Sequence, residues 1–572
     1  MKASDFIAYF LKIKGVESVF ELSGGMITHI LDSLHRTTDI KIITMHHEQS
    51  AAFAAEGYAR IKGLPGVAMA TSGPGATNLL TGIGSCFFDS TPAIFITGQV
   101  NRHEQKGDRN IRQLGFQETD IIAMAKPITK ACFLVNEPND LEHIFEEAFR
   151  IACEGRPGPV LIDIPMDVQR AQIEIKNSSI GKVIHNSISN QTIEQLIVDI
   201  KNAKRPLILS GRGVKASKSQ MLFDNFVEKV QVPVITTLLG LDTISFEDPL
   251  RVGFIGSYGN RWANIAFGEC DLLIVLGSRL DIRQTGADTQ FIENRKIYHV
   301  DCEAAEINNR VKGCIPVLSD LNNFFVKFLS YSIYNHFGKP NDWLSYIYDL
   351  RNTWPDIREL TPKGINPNMF MHSLSRAGKQ AKVYLADVGS HQMWSAQSLE
   401  LAKGQHFLTS GGMGAMGFSL PAGIGACVAL ENSPVVVIIG DGCMQINIQE
   451  LQTIVRNKLP IKIIVMNNRT LGMIRQFQDS YFESRYQSTY WGYDAPDFAK
   501  VAIAYGIDAK TIILPNEVDG AAQWLWSTEN AGKPQLLQVM IDPHTNTYPK
   551  IAFGKPITEM EPFSQPIEME GT

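Results

Sequence analysis

The sequence has no apolar run of the roughly 20 residues needed to cross a bilayer, so no membrane association is expected. It has no surplus of positive charge either: 53 Lys and Arg stand against 59 Asp and Glu, a formal net charge of −6. Broad nucleic-acid binding needs a basic footprint and is not expected. Cysteine is sparse. Cys86, Cys132, Cys153, Cys270, Cys302, Cys314, Cys427 and Cys443 are scattered and never form a CxxC pair. That excludes the usual zinc spacings and makes a disulfide framework unnecessary, leaving free thiols in a reducing cytoplasm as the expectation. There is no strong internal repeat and no low-complexity tract. The first residues, MKASDFIAYFLKIKG, carry Asp5 and Lys12 within the apolar stretch, which suits an amphipathic helix and not a secretion signal. What remains is 572 residues, 44% hydrophobic and 20% charged, enough for about three globular domains.

Seven apolar runs of strand length stand out, most of them running into Gly, Asn or Asp: GVAMATSG (66–73), PAIFITGQ (92–99), PVLIDIP (159–165), PLILSGRG (206–213), DLLIVLGSR (271–279), PVVVIIGDG (434–442) and IKIIVMNN (461–468). Helical periodicity separates them. Continuous apolar strands of this kind belong to parallel sheets covered on both faces by helices, and such sheets bind ligands at their strand C-termini. Two stretches interrupt the pattern, a polar Ser/Asn-rich segment at 172–190 and a Trp-containing segment at 331–365. Read as interdomain connections, the second partly helical, they leave an α/β class with three domains at 1–171, 190–330 and 366–545, each a mostly parallel sheet covered by helices.

The strand PVVVIIG runs into Gly440-Asp441-Gly442, and the next strand ends in Asn467-Asn468, with Asn468 26 residues beyond Gly442. The segment between them is helical, so two parallel strand ends lie side by side. Asp441 and the Asn468 amide oxygen can then meet one hard divalent cation, and carbonyl and diphosphate oxygens can complete the octahedron that Mg²⁺ prefers. The glycines let backbone N–H groups approach a phosphate at a helix N-terminus.

GDG followed at this spacing by NN resembles the thiamine-diphosphate fingerprint. The likeness extends along nearly the whole chain to the acetohydroxyacid (acetolactate) synthase group of that family. It is carried by HHEQSAAFAAEGYAR (46–60), TSGPGATNLLTGI (71–83), GFQETD (115–120), GRPGPVLIDIP (155–165), VGSHQMWSAQ (388–397), GGMGAMGFSLPAGIGA (411–426) and GDGCMQINIQELQTIVRNKLPIKIIVMNNRTLGMIRQF (440–477). The resemblance implies pyrimidine-binding, central FAD-binding-like and diphosphate-binding domains, in that order. It implies that Glu48 shares a proton with the pyrimidine of thiamine diphosphate, that the Gly414 carbonyl accepts from its amino group, and that Met416 wedges between its rings. Gly389, Ser390, His391, Gly442 and Cys443 become diphosphate contacts, Cys443 mostly through its backbone. Asp441, Asn468 and a Thr470 carbonyl become Mg²⁺ ligands. Gln117 becomes a polar catalytic group near the reacting carbon, with Gly25, Phe116, Met166, Met473, Ile474 and Phe477 around the substrate. In the family the Glu48 and GDG positions come from different subunits, which implies an obligate homodimer or a tetramer with active sites at the subunit interface.

In the middle third, GRGVKA (211–216) fits a dinucleotide fingerprint, but the ribose-binding acid expected about 20 residues on is missing, which argues against an NAD enzyme. The resemblance implies FAD instead, with Arg156, Gly211, Gly213, Arg279, Asp281, Arg283 and Asp301 as contacts. The alternative is that these arginines form ordinary ion pairs with neighbouring acids.

The implied substrate is a small 2-keto acid, pyruvate. It would be decarboxylated and its hydroxyethyl unit ligated to a second carbonyl, giving 2-acetolactate. Several positions depart from the family on the acceptor side: Met166 stands for a lysine, Phe477 for a tryptophan, His47 for an arginine, and Arg475 adds a cation. These leave open transfer of the two-carbon unit to a keto-deoxysugar nucleotide, with Arg475 at the edge of a wider pocket. A decarboxylase, lyase or oxidase of the same family and a non-catalytic binding protein are the readings from other classes. Glu48, Asp441 and Asn468 together speak against the last.

Overall fold

The computed structural model describes residues 1–175, 188–286, 295–338 and 340–567. The connection read at 172–190 lies largely outside the described residues. Three six-stranded sheets follow one another along the chain, and every strand pair within them is parallel. Central strands such as Gly66–Ala70, Leu272–Leu276 and Val435–Gly440 are buried along their whole length, which explains their unbroken apolar character. The α/β class with three helix-covered parallel sheets is therefore what the chain adopts.

The first sheet runs in space as Lys41–Thr44, Ser18–Leu22, Gly66–Ala70, Ala93–Gln99, Pro159–Pro165, Ala131–Leu134. The third runs as His406–Leu408, Val383–Ala386, Val435–Gly440, Ile461–Asn467, Gln535–Met540, Asp508–Ile512. Numbered within their own sheets, both have the order 2-1-3-4-6-5, a duplication of topology that the sequence hides. The middle sheet has the doubly wound order 3-2-1-4-5-6, from Arg251–Phe254 at one edge to Ile315–Leu318 at the other. In each sheet the chain reverses its direction of winding between strands 1 and 3, or 1 and 4. Ligands of open α/β sheets settle in the crevice at such a point. The three crevices lie beside residues 23–25 and 71–74, 211–213 and 277–279, and 387–391 and 440–442.

Helices α1 (Glu48–Lys62) and α3 (Ser419–Ala429) join the first and third domains, with α2 (Ser390–Ser398) preceding α3 in the third. α1 and α3 cross so closely that a Cβ on Gly57 would collide with the Ala422 carbonyl, and one on Gly425 with the Ala54 carbonyl. The two domains share one apolar core through this crossing, including Phe53 against Phe418 at 5.4 Å between ring centroids. Helix Asn341–Thr353 occupies the connection read at 331–365. Beyond the third sheet, a short antiparallel pair, Lys550–Ile551 with Met560–Glu561, returns to the middle domain. There Arg261 holds the Met560 and Glu561 carbonyls. No helix among the described residues is long and apolar enough to cross a membrane.

Candidate active site

In the third domain, strands Val383–Ala386 and Val435–Gly440 are neighbours, and the crevice opens at their C-termini. Ser390 and His391 begin α2 on one side. Asp441 begins α4 (Asp441–Ile446) on the other, with Gly440 as its N-cap. Asn468, Arg469 and Thr470 follow the adjacent strand and lead into α5 (Gly472–Tyr481).

Three buried oxygens face this crevice, Asp441 Oδ2, Ser390 Oγ and Tyr493 Oη; Asp441 and Tyr493 lie within hydrogen-bonding reach of each other, and Ser390 Oγ has no partner. A buried polar group left unmade is costly, so Ser390 Oγ beside a buried acid marks a place built for a polar ligand. The positions converge. A Cβ on Gly472 would lie 2.8 Å from Asn468 Nδ2 and 3.0 Å from Ser390 Oγ; one on Gly442 would lie 3.2 Å from Tyr493 Oη and 3.3 Å from Met416 Cε. Burial pushes the Asp441 carboxyl up to about 7, a state that a cation at Oδ2 would reverse. Asn468 Oδ1 accepts the Thr470 N–H at 3.2 Å. These donors fit a divalent cation and a diphosphate.

His391 is buried, and its Nε2 accepts the Gly440 N–H at 3.2 Å. Burial depresses it to about 3, so it is neutral. It props the Gly440 turn from below, and Gly389, at φ +148, makes room for its ring. Cys443 turns its thiol to the Val388 carbonyl at 3.0 Å. Asp387, His391 and Cys443 come close enough to suggest a metal trio, but Asp387 is already filled by the Val388, Gly417 and Ser419 N–H groups and the Ser419 hydroxyl. That trio is a packed support. Gly414, at φ +65, and Met416 sit on the Gly-rich loop before α3.

The first domain carries a second cluster at its own strand reversal. Glu48 is the first residue of α1 and is 8% exposed. Its Oε2 accepts from Asn78 Nδ2 at 2.9 Å, while a Cβ on Gly75 would lie 3.4 Å from Oε1. The loop bearing Gln117 lies against Gly73, and Gln117 itself has φ +66. Gln99, held by Asp163, fixes this loop through the Thr119 carbonyl at 2.9 Å. Phe116 is 80% exposed. Gly25 and Met166 belong to the same domain, at the start of a 3₁₀ turn and of the short helix after strand Pro159–Pro165. Met473, Ile474 and Phe477 project from α5 of the third domain, the last two exposed. Within one chain, then, the candidate residues form two groups. Glu48 makes its side-chain hydrogen bond inside its own domain, and its helix reaches the third domain through Ser50 and Gln49, both bonded to Asn447.

Arg475 does not stand at a pocket edge. It is 1% exposed, pairs with Asp479 and Asn546, and lies over the Tyr486 ring. The expectation of a phosphate-facing cation at a pocket edge is corrected: the side chain is buried, and an i,i+4 acid supplies its counter-charge. Sequence reasoning also missed Tyr493, Asn78 and Asn447. Asn78 stands in the quoted TSGPGATN run, while Tyr493 has no local signal beyond an aromatic-rich loop.

In the middle domain a cavity of about 1240 Å³ opens at the strand reversal. Arg156, Gly213, Arg279, Asp281, Arg283 and Asp301 line it, as does Arg212, whose Nε is buried without a partner. Gly211 instead packs its backbone against Gly277. Arg156 pairs with Glu303 and Glu306 and Arg279 with Asp281, so part of the cationic wall is internally balanced. Burial raises Asp301 to about 6. The volume exceeds the ~300–1000 Å³ of ordinary small-molecule sites, and the mix of cations with a strand-end acid fits a dinucleotide.

Three family models match the chain. The thiamine pyrophosphate enzyme N-terminal TPP binding domain matches residues 1–124, the central domain 193–328 and the C-terminal TPP binding domain 387–539. The chain is 37% identical to a probable acetolactate synthase large subunit of Methanocaldococcus jannaschii, an alignment covering 100% of this chain and 96% of that one. It is 36% identical to the acetolactate synthase isozyme 2 large subunit of Escherichia coli K12, over 98% and 99% of the two chains. To the acetolactate synthase large subunit of Lactococcus lactis it is 37% identical, over 97% and 95%.

Proposed function

Because the chain belongs to the thiamine pyrophosphate enzyme family, we propose that its two half-sites act together on pyruvate as follows. The protein is a thiamine-diphosphate-dependent carboligase of the acetolactate synthase kind: two molecules of pyruvate give one 2-acetolactate and one CO₂. The coenzyme supplies a nucleophilic carbon and an electron sink for the charge left when CO₂ departs.

The chain's own residues bind, bend and protonate. Asp441, Asn468 and the Thr470 carbonyl would hold Mg²⁺, and Ser390, Tyr493 and the Gly442 and Cys443 backbone would hold the diphosphate. The Gly414 carbonyl would accept from the pyrimidine amino group, with Met416 filling the bend as a compact, adaptable wedge. Glu48 would hold a proton at the pyrimidine nitrogen, its other oxygen kept in place by Asn78. Gln117 would orient the substrate carboxylate or carbonyl. Gly25, Phe116, Met166, Met473, Ile474 and Phe477 would exclude water, which suits a reaction that disperses charge.

The exposed apolar side chains beside the two half-sites, Phe116, Ile474 and Phe477, suit pairing between protomers that would set Glu48 of one toward Asp441 of the partner subunit, in a homodimer or a dimer of dimers. The middle cavity would take FAD, with the four cations Arg156, Arg212, Arg279 and Arg283 toward its diphosphate and Asp301 toward its adenine half. Pyruvate is the acceptor. The relatives compared are acetolactate synthases, and the internal pairing of Arg475 removes the feature that favoured a phosphate-bearing sugar.

The observation that carries this reading is the buried group of Asp441, Tyr493 and the unpartnered Ser390 Oγ at the strand reversal. Its test is product identification by mass spectrometry after incubation with pyruvate, thiamine diphosphate and Mg²⁺. Acetolactate formed only with both cofactors supports the reading. Acetaldehyde or peroxide without acetolactate rejects carboligation.

A further inference from the structure

The Gly-rich loop between strand His406–Leu408 and α3 forms part of the wall of the middle cavity through Ser410, Gly411, Gly412, Met413 and Gly414, and it carries Met416 toward Gly442. Its far end is tied inside its own domain, where Asp387 accepts the Gly417 and Ser419 N–H groups. Its near end is held both within its own domain, where Gln392 Nε2 donates to Thr409 Oγ1 at 2.6 Å and to the Ser410 carbonyl at 3.2 Å, and by another domain. Asp89, at the end of helix Leu80–Phe88 in the first domain and 1% exposed, accepts the Gly411 N–H at 2.9 Å and the Gly412 N–H at 2.6 Å.

Arg60, from the last turn of α1, locks that carboxylate. Its Nη2 donates to Asp89 at 2.7 Å and to Glu56, its Nη1 donates to the Thr409 carbonyl at 2.7 Å, and its guanidinium lies 5.5 Å from the Phe418 ring centroid. One buried cation thus touches both ends of the loop. The arrangement is expensive unless it does something. Glu56 is fully buried beside a second carboxylate, Asp89, and burial raises it. A core of apolar side chains would hold the same helices at less electrostatic cost. Two adjacent backbone N–H groups, however, can be fixed in direction only by an acceptor such as a carboxylate.

We propose that Asp89 and Arg60 are positioning residues: a clamp from the first domain that sets the Thr409–Phe418 loop, and with it the Gly414 carbonyl and Met416, in the geometry that bends the coenzyme. This rests on the assignment of Gly414 and Met416 made above. It also makes the loop a shared wall, so that one clamp serves the coenzyme crevice and the middle cavity together.

The test uses D89N and R60K in the full-length protein, read three ways. The first is amide hydrogen exchange of the 409–418 peptide without coenzyme; the second is thiamine diphosphate affinity; the third is kcat against KM for pyruvate. An amide at position 89 keeps one acceptor oxygen but turns an NH₂ toward a backbone donor or Arg60. Exchange of that peptide should rise on the order of tenfold or more, as expected for one lost charge-assisted hydrogen bond. Coenzyme affinity and kcat should fall while the pyruvate KM holds and exchange elsewhere is unchanged. Unchanged exchange at 409–418 overturns the clamp itself. Raised exchange with wild-type affinity and kcat also overturns the proposal, and it locates the fault in the roles given to Gly414 and Met416. If D89N does not fold, R60K decides by the same readings: lysine cannot reach Thr409, Glu56 and Asp89 at once.

Discussion

Replacing Glu48 by Gln isolates the proton that the coenzyme chemistry requires. The two side chains are nearly isosteric, and Glu48 lies at the start of α1 with one carboxylate oxygen bonded to Asn78 Nδ2 at 2.9 Å. Asn78 is exposed and its amide can turn over, so it can bond the Gln amide either way round. In either orientation the variant lacks a group that can give and take a proton. Fold stability should change by less than about 1 kcal/mol, since no cavity opens and the Asn78 bond survives. Coenzyme affinity should stay within a few-fold. Turnover should fall about 10²- to 10⁴-fold, the usual loss of an acid–base partner, or roughly 3–5 kcal/mol of barrier. Melting temperature, coenzyme titration by intrinsic fluorescence and steady-state rates at saturating coenzyme separate the three effects. A Glu48→Gln enzyme with near-normal kcat would refute the role assigned to this carboxyl. A collapse of stability would show that Glu48 acts in the fold instead.

Asp441→Ala should weaken Mg²⁺ and coenzyme together, because the ion would bridge this carboxylate to the diphosphate; unchanged coenzyme affinity on Mg²⁺ removal counts against the site. Purified protein should be yellow or should take up FAD when supplied with it, whereas a colourless preparation that binds none removes FAD from the middle cavity. Burial raises Asp163 from its ordinary 3.8 to about 7, so between those values the folded chain holds a proton that the unfolded chain has released. Its contribution to stability is full below about pH 4 and declines as pH rises to 7, by an amount on the order of 4 kcal/mol at most. Asp163→Asn should flatten that decline in denaturant titrations at pH 5 and pH 7.5, and an identical pH dependence in both proteins would contradict it.

The parts of the fold that showed in the sequence are those whose burial is continuous. Strands Pro159–Pro165 and Ile461–Asn467 are seven residues each and wholly buried, so composition alone marks them. The short inner strand Val234–Thr236 and the edge strands His406–Leu408 and Ala131–Leu134 have three or four residues and left no run to recognise. Asp441 and Asn468 were legible because one strand–helix–strand unit sets them side by side. Asp89 was not, since its partner Gly411 is 322 residues away and neither residue is unusual in its own neighbourhood. Arg475 misled because its charge was read without Asp479 one turn further along the helix. The matching strand orders of the first and third sheets left no trace as a repeat, because the arrangement depends on crossover connections and not on particular side chains.

The most direct measurement mixes two inactive variants. Glu48→Gln and Asp441→Ala chains, co-expressed or dissociated and recombined, should form mixed dimers in which one of the two sites receives an intact Glu48 from one chain and an intact Asp441 from the other. Random pairing should return about a quarter of the wild-type acetolactate-forming activity, since half the dimers are mixed and half of their sites are whole. Recovery near that level places the reaction between protomers as the account requires. A mixture that contains mixed dimers and stays as inactive as its parents would contradict it.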